Sequence, residues 1–245
     1  MTSELLRFWN EAALDRAPFV HPRDTIPANH IQSGISSYAE FLATFEGGLL
    51  SRTAFHLSLL PQPYHGDLDN AEILLLLINP GLSACDYHAE HNYPAFREDL
   101  IASIRQERRD HLFLNPKWAW TSGFMWWESK LRDVARLIAS ERFDGHYGRA
   151  LADLARRVAS IELVPYHSFN FGGSKKLVSA DAARRFVASV DPGRTVIVTR
   201  SVADWGLPDA PHIIKYPATH ARSASLGLTS MGGRAILERY GIFAA

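Results

Sequence analysis

Ala71-Glu72-Ile73-Leu74-Leu75-Leu76-Leu77-Ile78-Asn79-Pro80-Gly81 is the stretch whose reading decides the fold. The unbroken apolar run from Ile73 to Ile78 reads as a strand buried on both faces, the habit of a parallel strand at the centre of a sheet. Asn79-Pro80-Gly81 then supplies a sharp turn. Ligands of open α/β sheets bind just outside the carboxyl ends of such strands. Asn79 is therefore expected on rigid backbone at the place where such a fold does its chemistry.

Three more strand candidates follow: Ile161–Val164 ending at Pro165, Thr195–Thr199, and His212–Tyr216 ending at Pro217. Helical patterns lie between them, at about Arg97–Arg108, Glu128–Ser140, Tyr147–Val158 and from Ser179 to Pro192-Gly193, with a last helix over Ser230–Tyr240. The segment Leu82–Phe96 reads as a polar, aromatic loop. Strands alternating with helices predict an α/β fold, a three-layer α/β/α sandwich around a four-stranded parallel sheet. Upstream, Ser3–Arg16 reads as a helix and Pro18–Pro27 as loop. Ser37-Tyr38-Ala39-Glu40 has the pattern of a capping box before the apolar face Tyr38, Phe41, Leu42 and Phe45. The expected division is an N-terminal helical extension over residues 1–55, packed on an α/β/α domain over 56–245.

The 245 residues suit one large domain, or one domain with an extension. No apolar run approaches the ~18 residues of a membrane span, and Met1-Thr2-Ser3-Glu4 lacks the flank and core of a signal peptide. The expectation is a cytoplasmic monomer with no membrane partner. Cys85 is the only cysteine, which excludes an intrachain disulfide and a four-cysteine iron–sulfur cluster. Net charge is zero, but from Ile161 onward ten Lys/Arg stand against six Asp/Glu, an excess of four positive charges. That suits a local phosphate-facing surface.

Three strand-end constellations carry the functional reading. The first is Asn79-Pro80-Gly81. The second is Glu162-Leu163-Val164-Pro165-Tyr166-His167-Ser168-Phe169. The third is Tyr216-Pro217-Ala218-Thr219-His220-Ala221-Arg222-Ser223-Ala224-Ser225. Together with Trp126-Trp127 they resemble the uracil-DNA glycosylase superfamily, in the mismatch-specific thymine/uracil branch with its Asn-Pro-Gly motif and its bacterial uracil-glycosylase-like proteins. The resemblance spans roughly Leu59–Tyr240 and also implies four strands. It implies that Asn79 orients the attacking water and that His220 stabilises charge on a base carbonyl oxygen. It places Pro80, Gly81, Tyr166 and His167 at the base pocket, with Tyr87, Tyr93 or Phe96 as stacking partners. Arg222, Ser223 and Ser225 would then meet the DNA backbone. His220–Ser225 keeps the first and last residues of the family's His-Pro-Ser-Pro-X-Ser form and lacks both prolines. Uracil-specific members place an Asn where this chain offers Tyr166, His167 and Ser168, and uracil-only enzymes carry a Tyr where Gly81 stands. Both departures point toward a pyrimidine with a 5-substituent.

The remaining candidates have plainer readings. The Trp118–Trp127 cluster reads as core. Phe171-Gly172-Gly173-Ser174-Lys175-Lys176 lacks nucleotide-loop spacing and reads as a solvated basic loop, with Lys175 and Lys176 able to contact phosphate. Cys85, His88 and His91 form Cys-x2-His-x2-His, which fits no standard zinc spacing. No metal and no cofactor are expected, and no lysine in these motifs suggests a lyase step. The expected function is a monofunctional DNA glycosylase, acting on a flipped, modified pyrimidine in single- or double-stranded DNA. Modified cytosine in phage DNA is one such base, which would make the role one of defence. The alternatives are a catalytically silent nucleic-acid-binding module of the same fold, or a nucleoside or nucleotide hydrolase.

Overall fold

The computed structural model describes residues 3–172, 175–217, 219 and 224–242. The chain opens with helix α1 (Glu4–Trp9) and, after a long irregular segment, α2 (Tyr38–Glu46). A two-residue strand β1 (Tyr64–His65) precedes β2 (Ile73–Leu77). Four helices follow: α3 (Ala84–Asn92), α4 (Pro94–Ile104), α5 (Ser122–Arg142) and α6 (Tyr147–Arg157). The chain then alternates through β3 (Val158–Glu162), α7 (Val178–Ala188), β4 (Thr195–Val198), α8 (Val202–Trp205), β5 (Ile213–Lys215) and α9 (Met231–Arg239).

Among the described residues the sheet has five strands in the order β1-β3-β2-β4-β5, not four. Its parallel body is β3-β2-β4-β5, but β3 runs over Val158–Glu162 rather than Ile161–Val164, because Val158, expected on the helix before it, pairs with Ile73. The fifth, β1, pairs antiparallel with β3 through Tyr64↔Ile161 and His65↔Ser160. Two residues give too little pattern to be read as a strand from sequence. Every residue of β2, β3 and β4 is buried, so both faces of the sheet are covered, as the continuous apolar runs require. β2 sits between β3 and β4, with Leu77 opposite Glu162 and Leu76 opposite Val198.

Local chemistry moves several helix limits. Thr121 Oγ1 accepts a hydrogen bond from Phe124 N at 3.2 Å, so α5 starts at Ser122, six residues before its expected start. Its buried residues Trp127, Leu131, Val134, Ala135 and Ile138 recur at helical spacing. The segment expected as loop after Gly81 holds α3. There Ser83 and Asp86 form a capping box: Asp86 Oδ2 accepts from Ser83 N at 2.6 Å and from Ser83 Oγ at 2.9 Å. The box expected at Ser37 is altered. Ser37 Oγ accepts from Glu40 N at 3.2 Å, but the Glu40 carboxylate turns to Ser36 N at 2.6 Å.

The N-terminal segment is built into the core. Leu5, Leu6, Phe8, Trp9 and Phe19 belong to the same buried apolar cluster as the sheet. Glu4 pairs with Arg185 of α7 at 3.0 Å, and Arg105 Nη2, just past the end of α4, donates to Ala12 O at 2.9 Å. Among the described residues no helix is long and apolar enough to cross a membrane.

Candidate active site

Three neighbouring parallel strands converge on one place. β2 is followed by Asn79, β3 ends on Glu162, and β4 is followed by Arg200. From β2 the chain moves to β3 on one side, then crosses to β4 on the other. That reversal is a topological switch point, where open α/β sheets hold ligands. A cavity of about 470 Å3 opens there, and Asn79, Pro80, Gly81, Glu162 and Arg200 line it. Its size falls within the range of small-molecule sites.

Asn79 is held by the loop that follows β3. Its Nδ2 donates to Ser168 Oγ at 3.1 Å and to Ser168 O at 3.4 Å. A backbone carbonyl only accepts, so the amide nitrogen must face Ser168. The Asn79 oxygen is thereby left as the acceptor available to a water or a ligand hydroxyl. Ser168 is fully buried, so this orientation has a rigid anchor.

The turn itself is tied down on two sides. Gly81 has φ +72°, the left-handed region that a side chain strains to enter. A Cβ on Gly81 would meet no atom within 4 Å, so the cavity is open at this wall. Gly81 O accepts from His167 Nδ1 at 2.8 Å. Burial lowers the His167 pKa, while the Asp86 charge and the Gly81 carbonyl work against that. Asp86 Oδ1 in turn accepts from Ser122 Oγ at 2.7 Å, fastening the start of α3 to the start of α5.

Glu162 is the unusual member of the lining. It is 8% exposed, and its Oε2 has no hydrogen-bond partner among the described residues. Burial pushes its pKa up to about 8, with the Arg200 charge pulling the other way. At neutral pH the carboxyl keeps its proton. His65, also in the wall, lies between Ser103 Oγ and Gln62 Oε1, each at 3.3 Å. Burial holds its pKa well below the usual histidine range, and the nearby His111 and His167 act in the same direction.

Aromatic side chains complete the wall: Phe113, Trp126, Trp127, Phe169 and Phe171. Trp126 and Trp127 meet edge to face with centroids 4.9 Å apart. Both line the cavity, so the tryptophan cluster is not core alone. Gly123 lets Phe113 approach: a Cβ there would run into the Phe113 ring.

The other expected residues fall elsewhere. Tyr87 is fully buried in a separate cluster with Phe41 and Leu59, and its hydroxyl bonds His56 Nδ1 at 2.9 Å and Ser58 Oγ at 2.8 Å. Phe96 packs on Trp118, centroids 5.0 Å apart. Neither belongs to the cavity lining. Tyr93 is exposed beside Trp120, centroids 4.6 Å apart. Tyr166 is buried and donates to Asp24 Oδ2 at 2.6 Å; its role is to hold the N-terminal segment. His167 lies behind the turn rather than in the wall. Lys175 pairs with Asp204 at 2.5 Å, while Lys176 is exposed. Ser225 O accepts from the Tyr216 hydroxyl. His220, Arg222 and Ser223 lie outside the described residues. Cys85, His88 and His91 are not gathered: Cys85 Sγ donates to Trp120 O at 3.7 Å, His88 Nδ1 accepts from Asn92 at 2.8 Å, and His91 stacks on Tyr87.

Glu162 and Arg200 are the site residues to which sequence reasoning assigned no role. The signal for Glu162 was a carboxylate inside a strand otherwise made of buried residues. The signal for Arg200 was its position just past the carboxyl end of a parallel strand. No family model, curated protein or solved structure matches the chain.

Proposed function

We propose that this protein is a monofunctional DNA glycosylase, hydrolysing the N-glycosidic bond of a pyrimidine flipped into the cavity at the β2–β4 switch point. The observation that carries the reading is Asn79, lining the cavity with its nitrogen committed to Ser168. Glycosidic cleavage develops oxocarbenium character on the sugar, and water must attack its C1′ from a fixed direction. A neutral amide oxygen can hold that water without pairing with the departing base. The aromatic wall offers faces against which a flipped base can stack. Open space at Gly81 favours a pyrimidine with a 5-substituent over uracil alone, and modified cytosine in phage DNA is one member of that class. The fold supports the same reading in its finer form. The connections from β2 to β3 and from β3 to β4 run in opposite directions. Right-handed crossovers would then set helices on both faces, a three-layer sandwich on four parallel strands.

The test is base release from oligonucleotides carrying uracil, thymine opposite guanine, or 5-hydroxymethylcytosine, in single and double strands, with alkali to reveal abasic sites. Release by wild type and a loss of about 100-fold or more in Asn79→Ala is expected. No release from any substrate, with tight DNA binding in both proteins, would replace the enzyme by a binding module. Release from free nucleoside but not from DNA would replace it by a nucleoside hydrolase.

A further inference from the structure

Glu162 has a role still to be assigned. A buried carboxyl oxygen without a partner costs free energy relative to a hydrogen-bonded one. This one stands in the cavity wall, at the end of the strand beside β2, two register positions from Asn79. We propose that Glu162 is the base-reading and proton-donating residue, and that it selects a cytosine-type ring. This rests on the glycosylase reading of the same cavity.

A protonated carboxyl presents a hydroxyl donor beside a carbonyl acceptor. The pairing edge of cytosine presents the complement: ring nitrogen N3 accepts and the 4-amino group donates. The same carboxyl could pair with uracil or thymine, so pairing alone does not select. Leaving-group chemistry does. Uracil and thymine can depart as anions, because their two carbonyl groups delocalise the charge. Cytosine has one carbonyl and is a poorer anion, but its N3 is basic. Glu162 gives its proton to N3 and becomes a carboxylate beside Arg200, whose charge acts on it. The C1′–N1 bond then breaks with its electron pair going to N1, and the base departs neutral, as its N3–H tautomer. Water held at Asn79 adds its oxygen to C1′, and its proton restores the acid form of Glu162 through solvent. Base and abasic sugar are the only products.

The surroundings suit this task. The cavity lining that holds Glu162 also holds Arg200 after β4, His65 from β1 and Asp86 at the start of α3, and of these the Arg200 charge acts on the carboxyl. Burial holds the His65 pKa well below the usual histidine range. Burial keeps Glu162 in its acid form up to about pH 8, which makes it a proton donor under neutral conditions.

The experiment compares wild type with Glu162→Gln. Glutamine keeps a donor beside an acceptor but has no proton to give. Release of 5-hydroxymethylcytosine is expected to fall about 100-fold. Affinity for an oligonucleotide with an uncleavable 2′-fluorinated form of that nucleotide should stay within about threefold, since the pairing atoms remain. With wild type, release should fall about tenfold per pH unit above about pH 8, a profile that stands even if the variant does not fold. An unchanged rate in Glu162→Gln, or a rate flat with pH across that range, would overturn the proposal. Release of uracil or thymine but never of a cytosine would overturn it while leaving the glycosylase intact. Silence on every base would remove both.

Discussion

Asn79 Nδ2 donates to Ser168 Oγ at 3.1 Å, so a residue after β2 is oriented by one that follows β3. The bond joins two stretches 89 residues apart in sequence, and it works with the bond to Ser168 O, which fixes which end of the amide faces the cavity. Ser168→Ala leaves only the longer bond to the backbone carbonyl. Base release is expected to fall about tenfold in kcat with KM little changed, and unfolding stability to drop by about 1 kcal/mol. Steady-state kinetics and urea denaturation check both. A change in KM alone would mean that Asn79 binds the base instead of the water.

Gly81 separates backbone conformation from cavity room. Its φ of +72° makes any side chain strained, while a Cβ would meet nothing within 4 Å. Gly81→Ala should cost about 1–2 kcal/mol through the backbone alone and leave base preference unchanged. Gly81→Tyr adds bulk to the cavity wall. It should reduce release of 5-substituted pyrimidines by at least about tenfold more than release of uracil. Competition between the two substrates in one reaction reads this ratio directly.

Gly123 is held small by the ring of Phe113. Gly123→Ala forces that ring to move within a packed wall, at a cost of about 1–3 kcal/mol. Tm should fall by roughly 2–10 °C. An unchanged Tm would mean that Phe113 is free to swing.

Stability should be level between about pH 4.5 and 6.5 and fall on either side, because two sets of buried groups oppose each other. Burial raises Glu90 and Glu162 from 4.5 to about 8. Their contribution is complete below pH 4.5 and is lost as pH rises toward about 8, at about 1.4 kcal/mol per group per pH unit. Burial lowers His56 from 6.5 to about 4 and His111 from 6.5 to about 3. Their contribution is complete above pH 6.5 and is lost as pH falls toward those values. Urea denaturation as a function of pH should show the plateau, and Glu162→Gln should roughly halve the decline between pH 7 and about 8. A decline equal to that of wild type would mean that Glu162 is ionised in the folded protein.

Strands β2 and β4 were legible as continuous runs of apolar and β-branched residues, as at Ile73–Ile78 before Asn79, whereas β3 was placed three residues late because Ser160 and Glu162 interrupt its apolar pattern. The antiparallel strand β1 was not legible, since Tyr64 and His65 take their extended form from pairing with Ile161 and Ser160, a tertiary contact. Helix α3 was missed for a different reason. Its face is polar, and its start rests on Ser83 with Asp86, where the capping box more often carries Glu or Gln. At the site, Asn79, Pro80 and Gly81 were legible from the strand end alone. Tyr87 and Phe96 illustrate the limit: an aromatic near a motif looks alike whether it turns to the cavity or to the core, and both turn to the core. Glu162 required the reverse inference. Its significance comes from a carboxyl oxygen buried without a hydrogen-bond partner among the described residues, which only the folded chain reveals.

The most direct test of the central claim is mass spectrometry of the small molecules released when wild type and Asn79→Ala are incubated with 5-hydroxymethylcytosine DNA. The expected result is free 5-hydroxymethylcytosine base and an abasic strand from wild type, and neither from Asn79→Ala. Equal release by both proteins, or a nucleoside released in place of the base, would contradict the account.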